Sequence, residues 1–390
     1  MAGIVIKPRS RIFHGHDWVY GSEIQKTFGE PNPGDVISLK DFKDRPLGTA
    51  IYNPESQIVA RRFSRRKEEL NEDLFVRRIE RALLHRENLG FTDPVYRLIW
   101  SEADGLPGVV VDRYGKHLVL QTLTLGMDQR KEIIVGALQK TINPDSVIER
   151  NDSPVRNAEG LEPSVSVLSG ADPGPFTVEI GEGIIQEINL LEGQKTGIYL
   201  DQLDNYAAIA CLAPKRKVLD CCTNQGGFAL HCAKGGAASV RAIDVSESAI
   251  EATRKNAELN DLTLECEVAN VFDYLKKAET DGEKYDLIIL DPPSFTRNRK
   301  KLNEAMRGYK EIHLRALKIL NKDGLLATFC CSHHVTDTMF HSMICDSSVD
   351  AKRTLRFVDR YGQRPDHPVI ATLPETSYLK GYCFQTMGGF

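Results

Sequence analysis

The stretch YDLIILDPPSF, residues 285 to 295, joins an apolar run to an acid and two prolines. A short apolar run bounded by turn residues is typical of a strand that is buried on both faces. Proline fixes φ and has no backbone N–H, so Pro292 and Pro293 predict a rigid turn that offers only hydrogen-bond acceptors. We predict that Asp291 and the carbonyls beside it bind a planar N–H group, with a plain strand-ending turn as the alternative. Phe295 would add a stacking face.

Four similar runs surround this one. They are RKVLDCC (216–222), VRAIDV (240–245), LECEVAN (264–270) and GLLATFCC (324–331). Helical stretches such as SAIEATRKNAEL (248–259) and RGYKEIHLRALKIL (307–320) lie between them. Buried strands that alternate with helices predict an α/β fold with a parallel, doubly wound sheet.

Polar residues and glycines follow the predicted strands. Ligands of such sheets bind beyond the carboxyl ends of the strands. Asp220 ends the first run, and Gly226 and Gly227 would let the following backbone approach a ligand, although the spacing is not GxGxxG and a tight strand-helix turn explains the pair equally well. Asp244 ends the second run and could accept both hydrogen bonds of a ribose diol. Asn270 follows the third run and could contact an adenine edge.

The fifth run delivers the cluster TFCCSHHV, residues 328 to 335, to the same edge. Side chains alternate along a strand, so Cys330 and Cys331 should point to opposite sides. Zinc sites commonly use cysteines two to four residues apart, and the chain has no CxxC pair, so we predict no metal. Cys330 is interpreted as a packing residue and Cys331 as a candidate nucleophile. His333 and His334 could tune the thiol or simply occupy a loop.

The first 180 residues have a different pattern. Short strands broken by turns predict a small β-rich domain over residues 1–70, and helix and strand signals predict an α+β domain over 71–180. The stretch ARRFSRRK (60–67) places Arg61, Arg62 and Arg65 around Phe63. These cations could contact phosphates or form a solvated strand edge.

Composition limits the class of protein. The chain has 390 residues, 41% apolar and 27% charged, as in ordinary soluble proteins, and a net charge of −4 argues against indiscriminate coating of nucleic acid. No apolar run reaches the roughly 18 residues of a membrane span, and we expect a cytoplasmic protein. Nine cysteines, an odd number with two adjacent pairs, indicate reduced thiols.

Asp220, the Gly226-Gly227 turn, Asp244, Asn270 and DPPSF together resemble the motifs of class I S-adenosylmethionine (SAM) methyltransferases. The whole chain resembles the RlmI-type methyltransferases, which form 5-methylcytosine in large-subunit ribosomal RNA. GLPGVVVDRYG (105–115) and KTGIYLDQ (195–202) carry the most specific resemblance, and PETSYLKG (374–381) adds to it.

The resemblance implies three domains: a PUA-like RNA-binding domain over 1–70, a central α+β domain over 71–180, and a Rossmann-like methyltransferase domain over 181–390. The chain departs from the family pattern at three places. Asn224-Gln225 stands where the family often has an aromatic-Thr pair, and Leu203 stands where it usually has Arg. The common CSCS is FCCS (329–332) here, which keeps Cys331.

The resemblance also implies the site. SAM is the expected cofactor and RNA, of ribosomal origin, the expected partner, with no metal and no membrane; a homodimer is left open. Cys331 and Asp291 are the implied catalytic residues. The implied cofactor-binding residues are Lys195, Thr196, Gly197, Asp220, Asn224, Gly226, Gly227, Asp244, Val245, Asn270, Val271 and Asp291. The implied RNA-binding residues are Pro292, Pro293, Phe295, Arg61, Arg62 and Arg65.

Two other functions stay open at this point. Methylation of a guanine in RNA would also suit DPPSF and would need no thiol. A ribosome-assembly protein that binds RNA without catalysis would explain the altered first motif. A small-molecule methyltransferase is disfavoured, because it would not need the N-terminal domain.

Overall fold

The computed structural model describes residues 2–91, 94–193, 196–296 and 299–388. The chain divides into two compact units. The first comprises Met1–Val178, Ile188–Leu200 and Pro365–Ser377, and the second comprises Glu179–Glu187, Asp201–Arg364 and Tyr378–Phe390. None of the helices formed by the described residues is both long enough and apolar enough to cross a bilayer.

The N-terminal part of the first unit is a six-stranded sheet with the strand order β2-β6-β5-β4-β1-β3. Its inward side chains, among them Ile4, Ile6, Ile37 and Leu39, are completely buried. This confirms the β-rich fold predicted for this region. The strands are β1 (Gly3–Ile6), β2 (Trp18–Val19), β3 (Ile24–Phe28), β4 (Val36–Lys40), β5 (Pro46–Tyr52) and β6 (Ala60–Ser64).

The rest of the first unit is built on a five-stranded sheet, β11-β10-β9-β8-β7, and on helices. The longest helix of this part starts where the Asn71 side chain accepts a hydrogen bond from Leu74 N, and it ends just before Gly90. Phe63 of the first sheet and Phe75 of this helix belong to one apolar core. The elements are α1 (Glu72–Asn88), β7 (Val95–Trp100), β8 (Val109–Tyr114), β9 (His117–Thr122), α2 (Leu125–Asp128), α3 (Lys131–Ile142), β10 (Ser146–Asn151) and β11 (Ser164–Gly170).

Two short strands, β12 (Phe176–Glu179) and β13 (Ile185–Ile188), precede the large sheet of the second unit. That sheet has seven strands in the order β16-β15-β14-β17-β18-β20-β19. Its strands are β14 (Lys217–Cys221), β15 (Ser239–Asp244), β16 (Glu265–Val268), β17 (Tyr285–Leu290), β18 (Leu320–Cys330), β19 (Leu355–Gly362) and β20 (Lys380–Thr386). Its helices are α4 (Leu203–Ala210), α5 (Gly227–Lys234), α6 (Glu247–Leu259), α7 (Val271–Asp281), α8 (Leu302–Ile319) and α9 (Asp337–Asp350).

The five predicted strands, β14 to β18, pair in parallel, which confirms the doubly wound fold. The strand order reverses between β14 and β17, and this is where such sheets bind ligands. Two details differ from the sequence prediction. LECEVAN forms the edge strand β16, so Glu265, Glu267 and Val268 are exposed rather than buried. Two antiparallel strands that the pattern did not reveal, β19 and β20, complete the sheet. The domain boundaries at 70 and 180 stay predictions.

A buried arginine ties distant parts of the first unit together. Arg86 is 1% exposed, and its guanidinium donates to Asp104 Oδ2 at 2.8 Å. It also donates to the backbone carbonyls of Arg97, at 3.0 Å, and Asp366, at 2.7 Å. A buried charge needs such partners, because its desolvation is otherwise not compensated.

We expect Arg86→Leu to lower the free energy of unfolding by about 3 kcal/mol or more, since Asp104 would stay buried without its partner. Arg77→Leu on the same helix is the matched control. Arg77 is exposed and pairs with Glu68 at 3.1 Å, so its loss should cost about 1 kcal/mol at most. Thermal unfolding of both variants measures the difference, and equal losses would contradict the role given to Arg86.

Candidate functional site

Three carboxylates lie at the carboxyl edge of the large sheet. Asp220 is in β14, Asp244 ends β15 and Asp291 follows β17. Cys222 lies among them: burial, followed by the charges of Asp244, Asp291 and Asp220, raises the pKa of its thiol. The edge is therefore strongly acidic, and a ligand that carries positive charge would relieve the repulsion.

The two carboxylate oxygens of Asp220 differ in their partners. Oδ2 accepts from the Thr223 hydroxyl at 2.6 Å and from Ala229 N at 3.1 Å. Oδ1 is buried and has no hydrogen-bond partner among the described residues. Burial raises the pKa of Asp220 to about 7, with a smaller contribution from Asp244, although Thr223 and Ala229 oppose the shift. An unsatisfied buried acceptor of this kind indicates a ligand with an N–H or cationic group.

The loop after β14 is held in a tight, left-handed backbone. Gly226 has φ +88°, and a Cβ there would lie 2.9 Å from Thr253 Cγ2. A Cβ on Gly227 would lie 2.3 Å from the Tyr206 ring, so both glycines are required. Asn224 has φ +51°, a conformation that asparagine tolerates better than most residues, and its N–H donates to Asp244 Oδ2 at 3.0 Å.

The departures from the family pattern are well accommodated. The carbonyl oxygen of Gln225 accepts from the amides of Gln186 and Asn256, both at 3.1 Å. Leu203, at the start of α4, is buried in the apolar core. The backbone of the altered motif is therefore hydrogen-bonded, whereas the side-chain oxygen of Gln225 is buried without a partner among the described residues.

The second and third strand ends supply further contacts. The two Asp244 oxygens accept from Asn224 N and, at 2.9 Å, from Ser246 N. Val245 is 70% exposed, an apolar surface directly beside this acid. Asn270 caps α7: its side-chain oxygen accepts from Phe272 N at 2.9 Å, so that oxygen is already engaged. Val271 begins α7 and is buried.

Asp291 is oriented by a residue that the sequence analysis did not single out. The buried Gln202 donates from Nε2 to Asp291 Oδ2 at 3.0 Å, and its own oxygen accepts from Asn205 at 2.6 Å. Gln202 ends the KTGIYLDQ stretch, in which only Lys195, Thr196 and Gly197 had an implied role. Pro292 is buried and Pro293 exposed.

The predicted stacking residue has a packing role as well. The Phe295 ring lies 4.5 Å from Tyr309 and 5.9 Å from Phe272, measured between ring centroids. It is only partly buried. Any contact with a base would use the surface of the ring that these neighbours leave accessible.

The two adjacent cysteines differ in environment. Cys330 is completely buried in a cluster with Tyr309, Val335 and Phe340, and burial raises the pKa of its thiol. Cys331 is the first residue beyond β18 and is partly exposed. His333 and His334 form an exposed turn after it.

A lysine that the sequence analysis also missed holds the turn after Cys331. Lys380 on β20 lies opposite Cys330 on β18 in the antiparallel register of the two strands. Its ammonium group donates to the carbonyls of Ser332, at 2.7 Å, and Val335, at 2.8 Å. Burial lowers the pKa of Lys380, and the thiols of Cys330 and Cys331 oppose that shift. The ammonium group is therefore bound to the backbone just after Cys331 and interacts electrostatically with both thiols.

The remaining predicted residues lie in the first unit. Thr196 is buried, and a Cβ on Gly197 would lie 2.9 Å from the Tyr114 hydroxyl; Lys195 lies outside the described residues. Arg61 pairs with Glu102 at 2.8 Å, and Arg62 pairs with Asp17 at 2.5 Å. Arg65 is exposed.

The described residues contain no group of three or more His, Cys, Asp or Glu side chains that could hold a metal ion.

Replacing Asp220 with Asn tests the raised pKa. In acid, Asp220 is protonated in both the folded and the unfolded chain. As the pH rises from about 4 toward 7, the unfolded chain loses this proton first, so the free energy of unfolding of the wild type falls. It stays below its acid value above pH 7. We expect Asp220→Asn to be more stable than wild type above this range, by at most roughly 4 kcal/mol, because one pKa unit is about 1.4 kcal/mol. The advantage should shrink toward acid.

Urea unfolding at a series of pH values measures this difference. Asp273→Asn, on the exposed surface of α7, is the control and should not change the pH dependence. A stability difference for Asp220→Asn that does not vary with pH would contradict the assignment.

Comparison with known proteins identifies the family. A sequence model of S-adenosylmethionine-dependent methyltransferases matches residues 163–384, and a model of PUA-like domains matches residues 7–65. Ribosomal RNA large subunit methyltransferase I of Erwinia tasmaniensis is 38% identical over 386 residues, covering 97% of this chain and 98% of the relative. The protein of the same name from Vibrio parahaemolyticus is 39% identical, covering 95% and 96%.

Solved structures show the same fold. A SAM-dependent methyltransferase from Streptococcus mutans superposes with a TM-score of 0.85 at 22% identity, covering 99% of this chain and all of the other. A methyltransferase crystallised with SAH gives a TM-score of 0.87 at 23% identity and the same coverage. These matches confirm the resemblance and SAM as the cofactor. The chain therefore belongs to the S-adenosylmethionine-dependent methyltransferases, in the group whose curated members are named ribosomal RNA large subunit methyltransferase I.

Proposed function

We propose that the chain methylates the C5 carbon of a cytosine in large-subunit ribosomal RNA through a thiolate adduct of Cys331. The names of the relatives support ribosomal RNA as the substrate. The observation that carries the thiol mechanism is the position of Cys331. It follows β18, and Asp291 directly follows the parallel neighbour β17, at the edge that bears the cofactor carboxylates. A cytoplasmic location and the question of a homodimer stay predictions.

The residues at this edge fit SAM. SAM carries a positive ammonium and a positive sulfonium and supplies an electrophilic methyl group. Asp220 would accept from the ammonium group through Oδ1, which has no partner among the described residues. Asp244 would accept from the ribose hydroxyls, with Val245 against the adenine and Asn270 at its edge. Asn224, Gly226 and Gly227 would bring the backbone of the tight loop to the cofactor, and Thr196, Gly197 and Lys195 stay proposed contacts.

The thiol solves a chemical problem. The C5 carbon of cytosine is too poor a nucleophile to accept a methyl group directly. When the Cys331 thiolate bonds to C6, electron density moves to C5. The C5 carbon would then bond to the methyl group while the bond from that group to the sulfonium sulfur breaks, and SAH would be the leaving group. Loss of the C5 proton to a base then expels the thiolate and restores the ring. Asp291, held by Gln202, would accept from the cytosine amino group, and the proline carbonyls would line the same edge.

Lys380 supports the thiolate form of Cys331. A free thiol has a pKa near about 8.5, so only a small fraction is ionised at neutral pH. Lys380 is partly buried, and its ammonium group donates to the carbonyls on either side of the His333-His334 turn. A cation in such a position favours the negative sulfur, because it is weakly screened.

Replacement of Cys331 tests the mechanism. We expect Cys331→Ala and Cys331→Ser to lose methyl transfer from labelled SAM by at least about 10³-fold, while SAM binding stays within about twofold. Cys345→Ser is the matched control, since Cys345 is an exposed thiol on α9. Full activity of both Cys331 variants would exclude the thiol mechanism. Mass spectrometry of the modified nucleoside separates 5-methylcytosine from a methylated guanine.

Replacement of Lys380 tests the activation of the thiol. We expect Lys380→Met to slow alkylation of Cys331 by iodoacetamide at neutral pH by about tenfold, which corresponds to one pKa unit. Lys380→Arg should restore much of the rate because it keeps the charge. Lys277→Met, which removes an exposed lysine on α7, is the control. Peptide mass spectrometry follows Cys331 among the nine thiols. An unchanged rate in Lys380→Met would exclude the electrostatic role.

A further inference from the structure

The first unit contains a cleft of about 480 Å³ between the end of β6 and helix α1. Four arginines line it, Arg62, Arg65, Arg78 and Arg81, with His85 beside them, and we call it the arginine cleft. The lining residues all belong to the first unit. The cleft lies outside the site built on Asp220 and Cys331.

The carboxylates of the arginine cleft are already neutralised. Asp17 pairs with Arg62 at 2.5 Å. Glu102 accepts from Arg61 at 2.8 Å and from the Trp18 indole at 2.7 Å. The third carboxylate, Asp104, is bound by the buried Arg86. The acids therefore contribute little negative charge to the space inside.

Three guanidinium groups of the cleft have no ion-pair partner among the carboxylates that the structure describes. In the part of the chain that the structure describes, Arg65, Arg78 and Arg81 have no acidic oxygen within ion-pair distance of 4.0 Å. Arg65 and Arg81 are exposed, whereas Arg78 is partly buried. Three positive charges on one cleft contrast with the net charge of −4 of the whole chain. The cleft is thus locally cationic and suits an anion.

Arg78 is held in place for such a ligand. Its Nη2 donates to the carbonyl of Phe63 at 3.0 Å. Its Nη1 lies so close to Gly105 that a Cβ there would approach it to 2.2 Å. Burial, together with the like charges of Arg81 and Arg77, lowers the pKa of Arg78 against the opposing charge of Glu68. A fixed guanidinium loses little conformational entropy when it binds, and an anion would relieve the repulsion.

We propose that the arginine cleft binds phosphodiester groups of the RNA backbone. Guanidinium groups match phosphate oxygens in pairs, and phosphate contacts position RNA without reading its sequence. The cationic surface continues from Arg65 to the exposed Arg66 and Lys67, which suits a strand with successive phosphates better than a single small anion. The inference rests on the proposed function in that RNA is taken as the substrate.

The test uses the full-length protein and a labelled hairpin RNA. Binding is followed by fluorescence anisotropy over a range of KCl concentrations for the double variant Arg65→Gln/Arg81→Gln. We expect the affinity to fall by about tenfold and the slope of log K against log [KCl] to decrease by about 1 to 2. Arg77→Gln, an exposed arginine of α1 outside the cleft, is the matched control and should bind as the wild type does.

The outcomes separate this inference from the proposed function. Unchanged RNA affinity and salt slope in the double variant would overturn it. A second result would also overturn the inference. If inorganic phosphate protects the wild type but not the double variant against thermal unfolding, and both bind RNA equally, the cleft binds a small anion instead. Titration with SAH should be unaffected by the double variant. If Cys331→Ala binds RNA with the same dependence on the arginines, the cleft assignment stands whether or not cytosine is the methylated base.

Discussion

The crowding of three carboxylates at one edge of the sheet is the constraint on which the site depends. Asp220, Asp244 and Asp291 repel one another where water is scarce. Hydrogen bonds offset part of this repulsion: the Thr223 hydroxyl donates to Asp220, and the backbone of the tight loop donates to Asp244. The same edge has a second half with the opposite charge, at Lys380. The charges around two thiols differ accordingly. The three acids act on Cys222, and the ammonium group of Lys380 acts on Cys331. The edge can therefore hold a cationic cofactor on one side and favour an anionic sulfur on the other.

Much of this could be predicted from sequence because it depends on local pattern. Apolar runs of strand length identify β14, β15, β17 and β18, and the acids at their ends follow directly from the geometry of a parallel sheet. Gln202 and Lys380 were missed for the opposite reason. Each reaches its partner across a long sequence separation, from Gln202 to Asp291 and from Lys380 to Ser332. Amide and ammonium groups are common on protein surfaces, so the sequence around Gln202 and Lys380 does not predict that these side chains turn inward.

The arginines of ARRFSRRK illustrate the same limit. They look alike in the sequence, but the pleat of β6 turns Arg61 and Arg62 toward Glu102 and Asp17, and only the residues after the strand remain exposed. The cationic surface is completed by α1, whose residues Arg78 and Arg81 follow a separate helical pattern. Charge alone predicted a basic stretch, whereas the partners of each guanidinium decide which arginines can act.

The path of the chain through the two compact units has a consequence for synthesis. The chain passes from one unit to the other after residues 178, 187, 200, 364 and 377. Arg86, for example, donates to the carbonyl of Asp366, which is synthesised 280 residues later. Neither unit is complete until nearly the whole chain has been made, so the two should acquire their final packing together at the end of translation rather than one after the other. A truncation after residue 178, 187, 200 or 364 would leave both units with missing segments.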